Sequence, residues 1–571
     1  MAERDYFWSI TVCLPSEYYY EEDSSISSFI NNIISNNQPF SDNIIFLYSI
    51  SLSWLLSVSN RKLRDITTKC LIKLLTNHIN ILLALLQKFE RVNDPYVYER
   101  LFAVCYGVLT RSEIFEKGKE LGEYIYSTIF DKNEVYPNVL LRDYAKQSIQ
   151  FLLMKSIVLN IDVKKFLPPY HSEFVKEFLS NDEIDNNYNT FSGESLIRKS
   201  MITEYGRGMG YYGDFGRYIF GYCVGHWKDI DENLLSNLAV KWIFEKYGWT
   251  GKLFDEFDKK IGSGRGRDNK YQERIGKKYQ WIALYEILAR LADNVSYYPN
   301  IFHGKPRLYK GSFENSIRNI DPTLGLNLVN EVSANLYDIS FNQQSNFQNW
   351  LHDESDLPQI KELILDKTGK YLCLFKHFKK IDNEIEKFNS DSQDREIWLW
   401  IQSFLVKKEN IPTLYEKLKN QNFNGRWLPE PAEFYNVYSR EFYDSDAYKY
   451  NMTEEGYSEE VEIRGIPNVS VIPTVIEYRW ESSSDYSLEE TLDILKPCKL
   501  FVQKMKLRLK ENESYFYDSI GELVFFDDGE SQKRQNALIG DKEKILNFIR
   551  KSDYTIMWSL LRYCQLLWIE V

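Results

Sequence analysis

Cysteine and histidine are few in this chain, and neither is grouped. The seven cysteines (Cys13, Cys70, Cys105, Cys223, Cys373, Cys498 and Cys564) are scattered and odd in number. No CxxC pair or Cys/His cluster with zinc spacing occurs, which argues against a zinc site and points to a reduced, cytoplasmic compartment. His78, His171, His226, His303, His352 and His377 stand alone, with no HExxH or HxH pair. The GxSxG elbow of hydrolases is missing. So is the GxxxxGK[ST] loop, so the chain is not a P-loop NTPase by itself. Its start, MAERDYFWS, lacks the basic and apolar regions of a signal peptide. Nothing here asks for a cofactor or a metal, and no catalytic set emerges.

What is present is ordinary in bulk. With 571 residues the chain exceeds the size at which one core stops growing, so two to four domains are expected. Hydrophobic residues make up 44% and charged residues 27%, the balance of a soluble globular protein. The 41 Tyr and 34 Phe carry two readings: a codon bias toward Asn, Ile, Lys, Tyr and Phe, or a wide aromatic recognition surface. A net charge of −12 argues against broad nucleic-acid binding, while leaving room for a local basic patch.

Residues 270–294 form the stretch around which the rest is organised. Ile275, Tyr279, Trp281, Ile282, Leu284, Tyr285, Leu288 and Leu291 cover nearly the whole helical circumference, so a helix buried on all sides is predicted. Its charges exclude a membrane span. Glu286 and Arg290 have the i,i+4 spacing of a helical ion pair. Before it, residues 42–160 read as helix after helix. LRDITTKCLIKLL from Leu63, YERLFAVCYGVLT from Tyr98 and LRDYAKQSIQFLL from Leu141 echo one another at the spacing of two-helix HEAT or armadillo units. Arg64-Asp65 and Arg142-Asp143 are read as charges tying neighbouring repeats together. After about residue 355 the apolar period becomes two. A hairpin is predicted over 362–375 around Asp366–Gly369, and one strand over 469–480. The expectation is an α+β chain: an all-α HEAT/armadillo-like solenoid at 1–160, its continuation around the central helix at 161–350, and a mixed α+β domain with hairpins at 351–571.

Two glycine-rich segments call for a decision. GRGMGYYGDFGRYIFGY (206–222) contains GxGxxG at Gly208, Gly210 and Gly213, but no strand precedes it and no βαβ unit surrounds it. The dinucleotide reading fails that context test, and a wide turn capped by Asp214 and leading into a helix replaces it. IGSGRGRDNK (261–270) runs straight into the central helix. Helix N–H groups with Arg265, Arg267, Arg274, Lys277 and Lys278 would suit a phosphate or an acidic partner, whereas the plain reading is a solvated loop. The candidate contact residues are these five cations with Tyr211, Tyr212 and Phe215 of the aromatic turn. Glu481 and Asp485 offer a weak acid pair for a metal-dependent hydrolase or nuclease. The acidic stretch 430–462 has no regular calcium loop and reads as a solvated face.

Several segments together carry a resemblance: ERDYFWS (3–9), SNRKLRDITTKCLIKLL (59–75), VNDPYVYERLFAVCYG (92–107), NVLLRDYAKQSIQFLL (138–153), YGDFGRYIF (212–220), ERIGKKYQWIALYEILARLADN (273–294), RNIDPT (318–323), VIPTVIEYRWESSSDYS (471–487) and YFYDSIGELVFFDD (515–528). In this order they resemble the C-terminal half of large bacterial STAND NTPases, the NACHT-like ATPases of antiphage defence. That resemblance implies a sensor region which binds a foreign ligand. The effector and ATPase parts are absent, so nucleotide hydrolysis does not carry over. The ending, MWSLLRYCQLLWIEV, is abrupt and raises the expectation of a split or truncated protein. Two further readings stand beside the sensor: the hydrolase or nuclease above, and a constitutive scaffold. The partners implied are a phage protein or a separate ATPase or effector chain, with no membrane.

Overall fold

The computed structural model describes residues 1–12, 25–36, 39–175, 177–188, 195–206, 212–262, 271–298, 305–309, 311, 317–326, 332–337, 341, 350, 359–381, 393–419, 430–435, 437–441, 443, 445–454, 458–463, 465–510, 513–529 and 536–568. Helices dominate its N-terminal part and strands its C-terminal part, which makes it an α+β protein. The chain divides into two compact units. The first is Met1–Leu326 with two later segments, Tyr438–Ala447 and Ser482–Glu489. The second is Asn327–Val437, Tyr448–Glu481 and Glu490–Val571.

The first unit holds α1 (Ala2–Tyr6), α2 (Ser25–Ser35), α3 (Asp42–Leu55), α4 (Arg61–Leu75), α5 (Ile79–Phe89), α6 (Pro95–Arg111), α7 (Gly118–Ile125) and α8 (Val139–Met154). It continues with α9 (Val163–Phe166), α10 (Asn181–Asn187), α11 (Leu196–Met201), α12 (Tyr222–Val224), α13 (Glu232–Glu245), α14 (Gly251–Gly262) and α15 (Ile275–Asn294). The three echoing segments are α4, α6 and α8. Asn60, Asp94 and Asn138 cap them, accepting from the N–H three residues on at 3.0, 3.2 and 2.9 Å. α4 packs on α6 and α6 on α8, while α3, α5 and α7 follow one another beside them.

α15 is buried around nearly its whole circumference and packs on α8, α11, α13 and α14. Its charged pair forms: Arg290 Nε donates to Glu286 at 2.9 Å, and Lys246 Nζ reaches the same carboxylate at 2.6 Å. Burial alone would raise that carboxyl, but Lys246, Tyr247 and Arg290 hold it below the usual range.

Charges at the starts of α4 and α8 are buried and reach far along the chain. Asp65 lies between Arg61 (2.8 Å) and Arg100 (3.1 Å), so one carboxylate joins α4 to α6. Arg64 pairs with Glu273 at 2.5 Å and Arg142 with Asp293 of α15 at 3.0 Å. Arg318 bonds Asp143 at 3.0 Å and also pairs with Glu441. Asp321 accepts from Ser439 N at 2.7 Å, Asp65 accepts from Tyr486 N at 3.1 Å, and Arg61 donates to Ser484 O at 2.7 Å. The segments Tyr438–Ala447 and Ser482–Glu489 are thus bonded into the helical unit by buried polar groups, where an unmade bond is costly.

The second unit has a nine-stranded sheet, ordered β4-β5-β2-β1-β11-β10-β9-β8, with β12 also paired to β2. Its strands are β1 (Tyr371–Ile381), β2 (Gln393–Lys407), β4 (Val461–Glu462), β5 (Ser470–Pro473), β8 (Arg508–Leu509), β9 (Phe516–Tyr517), β10 (Leu523–Asp527), β11 (Ala537–Asp541) and β12 (Tyr554–Trp568). A three-stranded sheet joins β3 (Glu433–Tyr435), β6 (Val475–Trp480) and β7 (Leu492–Pro497). Helices α16 (Ile360–Ile364), α17 (Ile411–Leu418), α18 (Lys499–Lys504) and α19 (Lys542–Lys551) belong here too. Two sequence expectations are corrected. The first arm of the 362–375 hairpin is mostly the helix α16, because Gln359 and Glu362 form a reciprocal cap at its start; Leu365, just past it, bridges Leu372 across the expected turn, and β1 otherwise pairs with β2 and β11. The single strand over 469–480 is two strands in two sheets, divided at Thr474, whose N–H bonds Ser403 O at 3.0 Å.

Candidate functional site

Arg274, Lys277 and Lys278, the described cations at the entry to the central helix, do not form one face. Arg265, Arg267 and Tyr211 lie outside the described residues. Arg274 is turned inward, its Nη2 donating to Ser200 Oγ at 2.9 Å. Lys277 pairs with Glu273 at 2.9 Å. Lys278 departs furthest from the expected contact surface: its ammonium is buried between Asp5 (2.7 Å) and Asp94 (2.8 Å). The anion at this helix N-terminus is the protein's own. Asp258 of α14 accepts from Ile275 N at 2.7 Å and Gly276 N at 3.0 Å. Burial pushes its carboxyl up to about 6, against the pull of those amides and Arg274. Gly276 permits this approach, since a Cβ there would lie 2.8 Å from Asp258 Oδ2 and 2.4 Å from Ile197. The helix end that suits a phosphate is therefore already filled.

The aromatic turn divides in the same way. Phe215 is not exposed but sits in the core, edge-on to Trp281 with ring centroids 5.2 Å apart. Tyr212 is 39% exposed and Tyr218 64%. Arg217 lies between them, its Cζ 4.1 Å from the Tyr212 ring centroid and 5.4 Å from that of Tyr218. Its ion partner, Glu204, is 3.7 Å away and itself exposed. Arg217 and Tyr218 were not among the candidates, although they lie in the same GRYIFG run.

The glycines explain how this cluster is held. Gly213 and Gly216 let the backbone lie against residues 199–202: an added Cβ would stand 2.2 Å from Ser200 O and 2.3 Å from Ile202 O. The chain then enters a π-helical turn, Gly216–Gly221, which carries Arg217 and Tyr218 outward. These glycines serve close packing and not a phosphate. Gly216→Ala is expected to destabilise the helical unit by about 1–3 kcal/mol, because the backbone must move to admit the methyl. A denaturant midpoint equal to that of the native chain would show that segment 199–202 yields freely.

The proposed acid pair has a different place. Asp485 is fully buried and accepts from Ser487 N at 3.0 Å and Asp321 N at 3.3 Å, with Lys69 at 3.8 Å, so it acts as an internal acceptor. Among the described residues no group of three or more His, Cys, Asp or Glu is arranged to hold a metal ion. Nor is any described helix long and apolar enough to cross a membrane. Comparison with protein-family models finds no match, and neither does comparison with curated proteins.

Proposed function

We propose that this chain is the ligand-sensing, protein-binding module of a bacterial antiviral defence system, acting in the cytoplasm on a phage protein. The observation that carries the reading is the exposed Tyr212–Arg217–Tyr218 cluster. Tyr and Arg, with Trp, are the side chains most enriched at binding hot spots, and here Arg217 lies over the Tyr212 ring with Tyr218 edge-on to it, so they are held together before any partner arrives. The two rows of helices, α3-α5-α7 and α4-α6-α8, support the finer reading of a HEAT-like repeat surface. The resemblance to STAND NTPase sensor regions supplies the biological setting.

Affinity purification of the intact chain from infected and uninfected cells tests this. A phage protein is expected only after infection, and Tyr212→Ala/Tyr218→Ala should retain about tenfold less of it, the loss of one well-placed aromatic anchor. Both tyrosines are exposed, so the melting temperature should not change. Equal capture from both cultures would replace the sensor with a constitutive scaffold. Equal capture by the variant would remove the tyrosine patch.

A further inference from the structure

Between α18, the β9–β10 turn and α19, the second unit contains a cleft of about 660 Å³. That is the size of a small-molecule site, about 300–1,000 Å³. Leu500 and Phe548 supply apolar surface, with Val524 buried behind them, and Phe548 is fixed edge-on to Phe501 with centroids 5.2 Å apart. Three lysines line the cleft. Lys544 is committed to the fold, 2.7 Å from Asp518 and 2.5 Å from Glu522. Lys504 and Lys551, at the ends of α18 and α19, are exposed and make no ion pair among the described residues. Asp553 is the remaining carboxylate of the lining. At the C-terminal end of α19 a further lysine, Lys408, donates to Ile549 O at 3.0 Å and to Ser552 O, one residue past the helix, at 2.6 Å. The lining carries three ammonium groups and the carboxylates Asp518 and Asp553, with Glu522 on Lys544 just beyond it; Lys504 and Lys551, beside an apolar wall, are the donors open to an anionic group on a ligand with an apolar body.

We propose that this cleft binds a small organic anion, its phosphate, sulfonate or carboxylate group met by Lys504 and Lys551 and its ring or acyl body resting on Phe548 and Leu500. The site is independent of the tyrosine cluster and of the sensor reading.

Titration of the intact chain with 1-anilinonaphthalene-8-sulfonate, an aryl sulfonate whose fluorescence rises on binding, tests the proposal. Saturable binding at one site is expected, weakened by about tenfold or more in Lys504→Glu/Lys551→Glu and less in Lys504→Gln/Lys551→Gln. Both side chains are exposed, so the variants should melt with the native chain. Displacement by adenosine monophosphate assigns a phosphate ligand and displacement by octanoate a carboxylate. Absence of saturable binding, displacement by neither competitor, or equal affinity in the charge-reversed variant would overturn it.

Discussion

Replacing Lys278 with Met lowers the stability of the helical unit by about 3–5 kcal/mol, the effect of leaving buried charges without their partner. Asp5 and Asp94 have fully buried side chains and share this one ammonium, at 2.7 and 2.8 Å. Asp94 also caps α6, so the substitution disturbs α1, α6 and α15 together. The loss should depend on pH. Burial pushes the Asp5 carboxyl up to about 6; Lys278 pulls it down and Asp94 pushes it further up. Its ordinary unfolded value is about 3.9. The folded chain therefore holds the proton over that window, and the stability it contributes is full below about pH 4 and lost as pH rises through 6. Without the ammonium the window extends upward, so K278M loses least near pH 5 and most above pH 7. Urea unfolding of both proteins at pH 5 and pH 8 is the check. A difference that is the same at both pH values would sink the shared-cation account.

Arg318→Met should be as severe, about 3–5 kcal/mol, for a related reason. The guanidinium is fully buried, donates to Asp143 at 3.0 Å and to Glu441, and its Cζ lies 3.9 Å from the Tyr438 ring centroid. After the change Asp143 keeps Lys146 at 3.5 Å, while Glu441 keeps the Tyr438 N–H at 3.3 Å. Glu441 is the group left most exposed to the penalty of an unpaired buried charge. Hydrogen exchange should then accelerate at the amides of Ser439 and Arg440, which bond Asp321 and Thr323 in the native chain. Adding Glu441→Leu should recover part of the stability, because removing both members of a buried pair costs less than removing one. If R318M/E441L is no more stable than R318M, the pair is not the source of the loss.

Features that depend on local physics are legible in the chain. Asn60, Asp94 and Asn138 cap helices because the bond spans only three residues. The central helix is evident because apolar side chains on every face require burial on every face. The Glu286–Arg290 pair follows from one turn of helix. The glycines at 213 and 216 were legible as glycines but not in purpose: the atoms they must avoid, Ser200 O and Ile202 O, lie on another segment.

The candidate contacts fared unevenly because sequence states a side chain's type and not its direction. Lys278 and Phe215 looked like members of a cationic and an aromatic surface, yet both point into the core. Lys278 does so because Asp5, 273 positions earlier, is brought beside it. Tyr212 and Arg217 meet at the surface because the packing of Gly213 and Gly216 turns that helix outward.

By itself the amino-acid sequence determined the helical N-terminal part, the strand-rich C-terminal part, the caps and the buried axis at α15. These depend on periodicity and on neighbours a few residues apart. That Tyr438–Ala447 and Ser482–Glu489 belong with the helical unit, and which cations face solvent, depends on contacts between distant segments. Arg318 finds Glu441 across 123 positions and Arg61 finds the Ser484 carbonyl across 423. A buried charge must be paired wherever in the chain its partner lies, and composition or local spacing does not name that partner.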